Sequence, residues 1–319
     1  MAKQIAALGA LTATPRTDKK KQPFFQRRNV KKNLFVIAAL AIPVVHFLVF
    51  WVYVNFDSLL LAFQNIEGGR EVFTLNNFKE AVHSLTTVGG DLNRAFRNTF
   101  VFFVYGVIVF PLGIFWAYFF YRRIALKSFF RVMFYVPQIV SAVVISGLFK
   151  YMINPEGPIG VLYRWLTGSE HTPAFLVQEE YALKTVIIYG FWTGFAGQLL
   201  LLSGAFARIP MSIIESANLD GIGWWRELWQ ICVPLIWPTL STIIIVFSTT
   251  IFTASGEILL LTNGQGGTTT ISFWLFAQVK YYNSYYLPSA LGLMMTIVAT
   301  PISLFTRWIV NKVYAGVEI

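Results

Sequence analysis

The sequence predicts an all-α, polytopic membrane protein with six transmembrane helices. Of its 319 residues, 56% are apolar or aromatic and 13% are charged, whereas soluble domains carry about 25% charged residues. Charged side chains are scarce in hydrocarbon because each costs about 3 kcal/mol at mid-bilayer. A helix needs about 20 apolar residues to cross a bilayer. The stretches that are long enough are residues 34–56, 99–121, 132–151, 185–206, 235–261 and 287–310.

A basic segment, residues 1–33, precedes the first stretch and contributes much of the net charge of +10. Lysine and arginine beside a membrane helix keep their side in the cytoplasm, so we predict a cytoplasmic N-terminus and, with an even number of crossings, a cytoplasmic C-terminus. Because this charge is juxtamembrane, we predict no nucleic-acid partner. The predicted domains are this segment and a six-helix transmembrane domain over residues 34–315. The charge is concentrated in Lys19, Lys20, Lys21, Arg27, Arg28, Lys31 and Lys32.

Several connecting segments carry weaker signals. The third stretch is interrupted by Pro137 and Gln138, but membrane helices tolerate proline, so a span is still predicted there. Residues 57–98 are expected to form short helices. Residues 264–267 are glycine-rich but lack the lysine of a nucleotide-binding P-loop, and we interpret them as a turn. With one cysteine, Cys232, and three scattered histidines, no disulfide or metal site is predicted.

The segment between the fourth and fifth stretches, residues 207–234, reads ARIPMSIIESANLDGIGWWRELWQICVP. Its charged residues exclude a span, and its pattern predicts a helix–turn–helix. Pro210 suits a helix start, Gly221 breaks the run, and Pro234 ends the second helix before the next span. Two interpretations remain open: a knob that enters a partner's groove, or a helix in the membrane interface. The interfacial anchors would be Trp224, Trp225 and Trp229.

This segment resembles the EAA motif of ABC importer permeases: glutamate and two small residues, then Asp-Gly, and after a fixed gap Ile-x-x-Pro. Ser216, Ile222 and Val233 depart from the usual family residues, but the glutamate, the Asp-Gly pair and the proline are present. Elsewhere, Asn98-Thr99, Pro137 and residues 262–264 resemble the sugar-type branch, which includes the maltose importer's membrane subunits. The motif positions are Glu215, Ser216, Ala217, Asp220, Gly221 and Pro234.

The resemblance implies a type I importer permease fold in a prokaryotic cytoplasmic membrane. It implies four kinds of partner: a second similar permease chain, two cytoplasmic ABC ATPases, an extracytoplasmic solute-binding protein and a carbohydrate solute. Residues 207–234 would be the cytoplasmic coupling loop, with Glu215 contacting an ATPase and Gly221 allowing the sharp turn. ATP and Mg²⁺ would be bound by the ATPases, so neither a cofactor nor catalytic residues are predicted in this chain.

Polar residues inside the fourth and fifth stretches are candidates for a solute pathway. Hydroxyl, amide and aromatic groups together suit a neutral sugar, but small residues at these spacings also permit close helix packing. Glu257 has two interpretations, a solute or partner contact and an interfacial carboxylate that reaches water. The candidates are Trp192, Thr193, Gly194, Gln198, Ser248, Ser255 and Glu257.

Sugar import has three alternatives. The same architecture could import a non-sugar solute such as glycerol phosphate or a polyamine, although an anion would favour Lys or Arg deep in the spans. A secondary transporter would need a relay of buried carboxylates, and only Glu257 qualifies. A membrane enzyme would need a convergent set of Asp, His or Cys, which the sequence lacks.

Overall fold

A computed structural model describes residues 28–122 and 126–314 of the chain. Residues up to Ser58 belong to one compact unit and residues from Leu59 onward belong to another. Most of the predicted basic segment, residues 1–27, lies outside the described residues, as do residues 123–125 and 315–319.

The first unit is helical throughout its described residues. Helix α1 (Arg28–Phe47) runs into a π-helical turn (Leu48–Tyr53) and then into α2 (Val54–Ala62). All side chains of residues 32–58 are exposed, and nearly all of them are apolar. A helix that is apolar on every side, with no face buried, is suited to lipid.

A short β-hairpin, which the sequence did not predict, follows α2. Strands β1 (Gln64–Glu67) and β2 (Arg70–Phe73) pair antiparallel, and their two-residue turn consists of Gly68 and Gly69, both with positive φ, as a type I′ turn requires. Helix α3 (Asn76–Thr86) then supplies the short helix that was expected in residues 57–98.

The core of the second unit is built around two long helices, α4 (Asp91–Tyr121) and α8 (Glu179–Phe206), which pack along each other. The other elements surround this pair. Those before α8 are α5 (Lys127–Ile139), α6 (Ala142–Ile153) and α7 (Pro158–Thr167). Those after it are α9 (Met211–Leu219), α10 (Trp224–Arg226), a π-helical turn (Glu227–Cys232), α11 (Val233–Thr249), α12 (Gly256–Leu261), α13 (Ile271–Tyr282) and α14 (Tyr286–Tyr314).

Five helices among the described residues are long and apolar enough to cross a membrane, and a bent pair makes six if it is one span. The prediction of an all-α membrane fold is therefore confirmed, with five candidate spans and a sixth if the bent pair is a single span. The unbroken spans are Lys32–Ala62, Asp91–Tyr121, Glu179–Phe206, Trp224–Thr249 and Tyr286–Val313.

The prediction of a single helix over residues 132–151 is wrong, because the third span bends by 114° between Ile139 and Ala142. Val140 and Ser141 are extended. The break follows Pro137 by a few residues, where the missing proline N–H already weakens the helix. The Gln138 amide donates to the Thr193 carbonyl at 2.9 Å and ties the bend to α8.

The prediction that the fifth span reaches residue 261 is also wrong. Helix α11 ends at Thr249, and residues 250–255 are irregular before α12 begins. The hydroxyls of Thr249 and Thr250 donate to carbonyls three residues back, at 2.7 and 2.9 Å. Side-chain bonds of this kind compete with the helical ladder, and a run of Ser and Thr therefore ends the helix.

Candidate functional site

The segment between the fourth and fifth spans forms the predicted helix–turn–helix. Pro210, the predicted helix start, is the N-cap of α9, so the helix begins one position later, at Met211. Ile214 and Ala217 are buried, at 0% and 3% exposure, whereas Glu215 and Ser216 are exposed. One face of α9 thus packs on the bundle, and the glutamate of the motif points away from it.

The turn after α9 is a Schellman motif. The Gly221 N–H donates to the Asn218 carbonyl and the Ile222 N–H donates to the Ala217 carbonyl, both at 3.1 Å. This motif places its C′ residue in the left-handed region, and Gly221 has φ +69°. No heavy atom lies within 4 Å of where a Cβ at Gly221 would be, so backbone conformation alone selects glycine.

The prediction that Pro234 ends the second helix is wrong. Residues 224–249 are helical without interruption, through α10, the π-helical turn and α11. Pro234 therefore lies inside a continuous helix, two residues after the π-helical turn ends at Cys232. The turn at residues 220–223 is therefore joined rigidly to the fifth span.

A buried carboxylate, Glu227, fixes this segment to the second span. Its side chain is 0% exposed, and the Tyr118 hydroxyl donates to its Oε1 at 3.0 Å. Arg122 Nη2 lies 3.1 Å from Oε2. Both terminal nitrogens of Arg122 also lie 3.4 Å from Asn218 Oδ1, so one guanidinium reaches both arms of the turn. From the sequence, Glu227 was only one of the charges that exclude a span, and its contact with the second span was not predicted.

Three tryptophans cover the same junction. The Trp225 ring stacks on Phe115 at 5.7 Å between centroids, and Trp224 lies 6.0 Å from Phe119. Exposure of Trp224, Trp225 and Trp229 is 49%, 52% and 37%. Each ring therefore packs on the bundle and also presents a free face, which fits an interfacial anchor. The two interpretations of this segment are thus compatible.

A cavity of about 660 Å³ lies among α4, α8, α11 and the irregular residues 250–255. A second cavity of about 380 Å³ adjoins the bend of the third span, and Gly194, Gly256 and Glu257 line both. The larger cavity is lined by aromatic rings together with amide, hydroxyl and carboxylate groups. These side chains include Phe102, Tyr105, Phe110, Gln198, Thr242, Phe247, Thr250, Thr253 and Glu257.

The predicted pathway residues divide between the cavities and the packed interior. Thr193, Gly194, Gln198 and Glu257 line one or both cavities, whereas Trp192, Ser248 and Ser255 line neither. Trp192 packs against Phe149 and Tyr189. The Ser248 hydroxyl donates to the Ile245 carbonyl at 2.7 Å, and Ser255 is the N-cap of α12. The sequence did not predict three other residues that line the larger cavity, Tyr105, Phe247 and Thr250. That they face the cavity follows only from how the helices pack.

Asn98-Thr99, one of the segments noted for its resemblance to sugar-type permeases, contacts the residues that follow another of them, residues 262–264. The Asn98 side-chain amide donates to the Gly267 and Thr269 carbonyls at 2.7 and 2.8 Å. The Thr99 hydroxyl accepts the Ile271 N–H at 2.9 Å. The start of the second span therefore holds the turn at residues 262–270. Among the described residues, no group of three or more His, Cys, Asp or Glu could hold a metal ion.

Comparison with known proteins agrees with this architecture. The multiple sugar-binding transport system permease protein MsmF of Streptococcus mutans is 26% identical over 270 residues, covering 81% of this chain and 89% of that protein. The maltose/maltodextrin permease MalF of Salmonella typhimurium is 29% identical over 159 residues, covering 49% of this chain and 30% of MalF. The fold also matches the crystal structure of a bacterial ABC transporter involved in the import of the acidic polysaccharide alginate. The TM-score is 0.77, with 22% identity and coverage of 89% of this chain and 97% of that chain.

A family model places these likenesses in one group. Residues 109–318, which include the helix–turn–helix, match the model described as the inner membrane component of binding-protein-dependent transport systems. The chain therefore belongs to the family of membrane permeases of binding-protein-dependent ABC transport systems.

Proposed function

We propose that this chain is the translocating subunit of an ABC importer for a carbohydrate, coupled to partner ATPases through residues 207–234. The observation that carries the coupling is the Schellman turn, which presents Glu215 and Asp220 outward while Glu227 ties its base to the second span. A rigid structure of this kind can transmit the movement of a partner to the membrane spans without deforming. ATP and Mg²⁺ would be bound by the ATPases, and no catalytic residue in this chain is needed.

The proposed orientation places both chain ends and residues 207–234 in the cytoplasm, following the basic residues near the first span. The proposed partners are a second, similar permease chain, two ATPases and an external solute-binding protein. The alginate transporter has been solved in complex with a pentasaccharide-bound periplasmic protein, which supports such a partner here.

Carbohydrate is proposed as the solute for two reasons. The relatives include permeases named for sugar and maltodextrin transport. The larger cavity also combines phenyl rings with hydroxyl, amide and carboxylate groups, which together can stack on a sugar ring and bind its hydroxyls. Thr193, Gly194, Gln198 and Glu257 are the proposed contacts among the residues predicted from sequence.

A cationic solute such as a polyamine is the second candidate. Glu257 is the single charged residue in the lining of the larger cavity, and aromatic rings beside a carboxylate also attract cations. Competition between labelled neutral oligosaccharide and labelled spermidine for ATP-dependent uptake separates the two. If spermidine is taken up and the oligosaccharide is not, the solute is a polyamine and the carbohydrate proposal is wrong.

The coupling proposal is tested by comparing Gly221→Val with Gly221→Asn in the native membrane. Asparagine tolerates the left-handed conformation and valine does not, while a Cβ at this position has no heavy atom within 4 Å. We expect Gly221→Val to insert normally but lose ATP-dependent uptake by about tenfold or more, because a distortion of about 1–2 kcal/mol displaces the knob. Gly221→Asn should keep most of the activity.

Purification of the unaltered chain from the same membrane completes this test. Recovery of an ATPase and a second permease is expected. Solute movement by the isolated chain without ATP, or full uptake by Gly221→Val, would contradict the coupling role of residues 207–234.

A further inference from the structure

The larger cavity carries one fixed negative charge and no compensating positive one. Glu257 lies where both cavities meet, and their described lining residues include neither Lys nor Arg. Among the described residues, no cationic side chain lies within ion-pair distance of Glu257. In a space walled by apolar groups, an uncompensated carboxylate sets the sign of the local potential.

The neighbouring polar groups add acceptors and few donors. Thr242, Thr250 and Thr253 each donate their hydroxyl hydrogen to a backbone carbonyl at 2.9 Å. The Gln198 amide likewise donates to the Phe110 carbonyl at 3.1 Å. The lone pairs of these hydroxyl and amide oxygens, and the second N–H of the Gln198 amide, remain for a bound molecule. A solute that brings hydrogen-bond donors is therefore matched to this lining.

One hydroxyl in the lining still lacks a partner. The Tyr105 hydroxyl is buried and makes no hydrogen bond with any described residue. A buried, unpaired hydroxyl costs about 1–3 kcal/mol, which a solute hydroxyl recovers only if the Tyr105 ring moves to expose its oxygen. The phenyl rings of Phe102, Phe110 and Phe247 complete the wall and offer apolar faces. A carboxylate or phosphate on the solute would instead meet Glu257 without a cation to offset the repulsion.

We propose that Glu257 makes this cavity a charge filter, which admits neutral, hydroxyl-rich solutes and rejects anionic ones such as saccharides that contain uronic acids. The inference rests on the proposed function, because it takes the cavity as the path of the solute. It distinguishes this chain from the similarly folded transporter involved in the import of an acidic polysaccharide.

The filter is measured with thiol reagents of different charge, which need neither ATP nor partner chains. Thr250→Cys places a thiol in the lining, and the full chain in membranes is treated with three methanethiosulfonates. These are the cationic trimethylammonium-ethyl, the neutral hydroxyethyl and the anionic sulfonatoethyl reagents. Ser169→Cys, an exposed position outside both cavities, is the control. The parent chain gives the background from Cys232, which is buried.

The measured quantity is the ratio of the reaction rate of the anionic reagent to that of the neutral reagent. This ratio should be about tenfold lower at Thr250→Cys than at Ser169→Cys. Adding Glu257→Gln should bring the two rates to within about twofold, with no change at Ser169→Cys. A ratio that is the same with and without Glu257→Gln overturns the filter. Failure of all three reagents to react also overturns it, because a closed cavity can select nothing.

This outcome is independent of the coupling test. Loss of the charge discrimination leaves the coupling of residues 207–234 intact. Normal uptake by Gly221→Val, by contrast, would contradict the proposed coupling without changing these rates.

Discussion

Glu227 is a buried charge whose partners come from the second span. The carboxylate has no exposed surface, and Tyr118 and Arg122 each approach one of its oxygens. Arg122 is different, because 29% of its side chain remains exposed and Asn218 also lies within reach. The two members of the ion pair therefore differ in what each would lose if the other were removed.

We predict that Arg122→Ala destabilises the protein more than Glu227→Ala. The first leaves a fully buried carboxylate without its cation, which costs about 3–5 kcal/mol. The second leaves a partly hydrated guanidinium, with a loss of about 2 kcal/mol. Thermal unfolding in detergent, with the exposed Arg208→Ala as control, checks the order. Equal losses would show that burial of Glu227 does not decide the cost.

Gly266 is a second residue whose identity is dictated by its surroundings. Its φ is +62°, and an added Cβ would lie 2.7 Å from the Ala182 Cβ and 2.9 Å from the Val177 carbonyl oxygen. We predict that Gly266→Ala costs about 3 kcal/mol or more, since strain and overpacking add. Gly89→Ala, with φ +84° in open space, should cost about 1–2 kcal/mol. Similar melting temperatures for the two variants would contradict this.

At the scale of elements, α4 controls its neighbours through polar contacts near its start and its end. Asn98 holds two carbonyls of the turn at residues 262–270, and Arg122 holds the turn that follows α9. A single helix thus fixes loops at both ends of the bundle. Movement of α4 would have to move both.

We predict that Asn98→Ala loosens the turn at residues 262–270. Asn98 is 6% exposed, and its loss leaves two carbonyls unpaired at a cost of about 2–4 kcal/mol. The rate of amide hydrogen exchange in the turn should rise by about tenfold or more, because the free energy of local opening falls. The exposed Asn76→Ala is the control, and unchanged exchange in Asn98→Ala would refute the role of its side chain.

The sequence predicted these elements to different degrees. Average hydropathy located the spans because lipid acts on about 20 residues at once. The Asp-Gly pair located the Schellman turn because only one residue type fits there easily. The breaks at Val140–Ser141 and at residues 250–255 were missed because their composition stays compatible with a span. The pair Arg122–Glu227 was missed because its members are far apart in sequence, and no local pattern joins them.

At the scale of the whole molecule, the bent third span decides the topology. If residues 127–167 cross the membrane, Ser169 and Ser212 lie on opposite sides, with Ser212 in the cytoplasm under the proposed orientation. If the bent pair instead enters and leaves the membrane on the same side, Ser169 and Ser212 exchange sides. Both side chains are exposed, so cysteine at either position should react with an impermeant reagent.

We predict that Ser169→Cys is labelled from outside intact cells and that Ser212→Cys is labelled only after the membrane is opened. This outcome requires six crossings with the N-terminus inside. Labelling of Ser212→Cys in intact cells, together with protection of Ser169→Cys, would establish a re-entrant third segment. The parent chain, whose cysteine is buried, provides the background.

The two helix breaks have a consequence for hydration. Non-helical backbone is tolerated at membrane depth only where it is covered by protein or meets water. Val140 lines the smaller cavity, and Thr250 and Thr253 line the larger one. Part of this backbone is already paired, since the Val140 N–H donates to the Val136 carbonyl at 3.1 Å and the Thr253 N–H donates to the Thr250 carbonyl at 3.0 Å. The peptide groups that remain unpaired can bind water in the adjoining cavities. If the larger cavity is the path of the solute, as proposed, a solute that enters replaces the hydrogen bonds of this water with bonds to its own hydroxyls, and the water–protein bonds lost are offset by those gained.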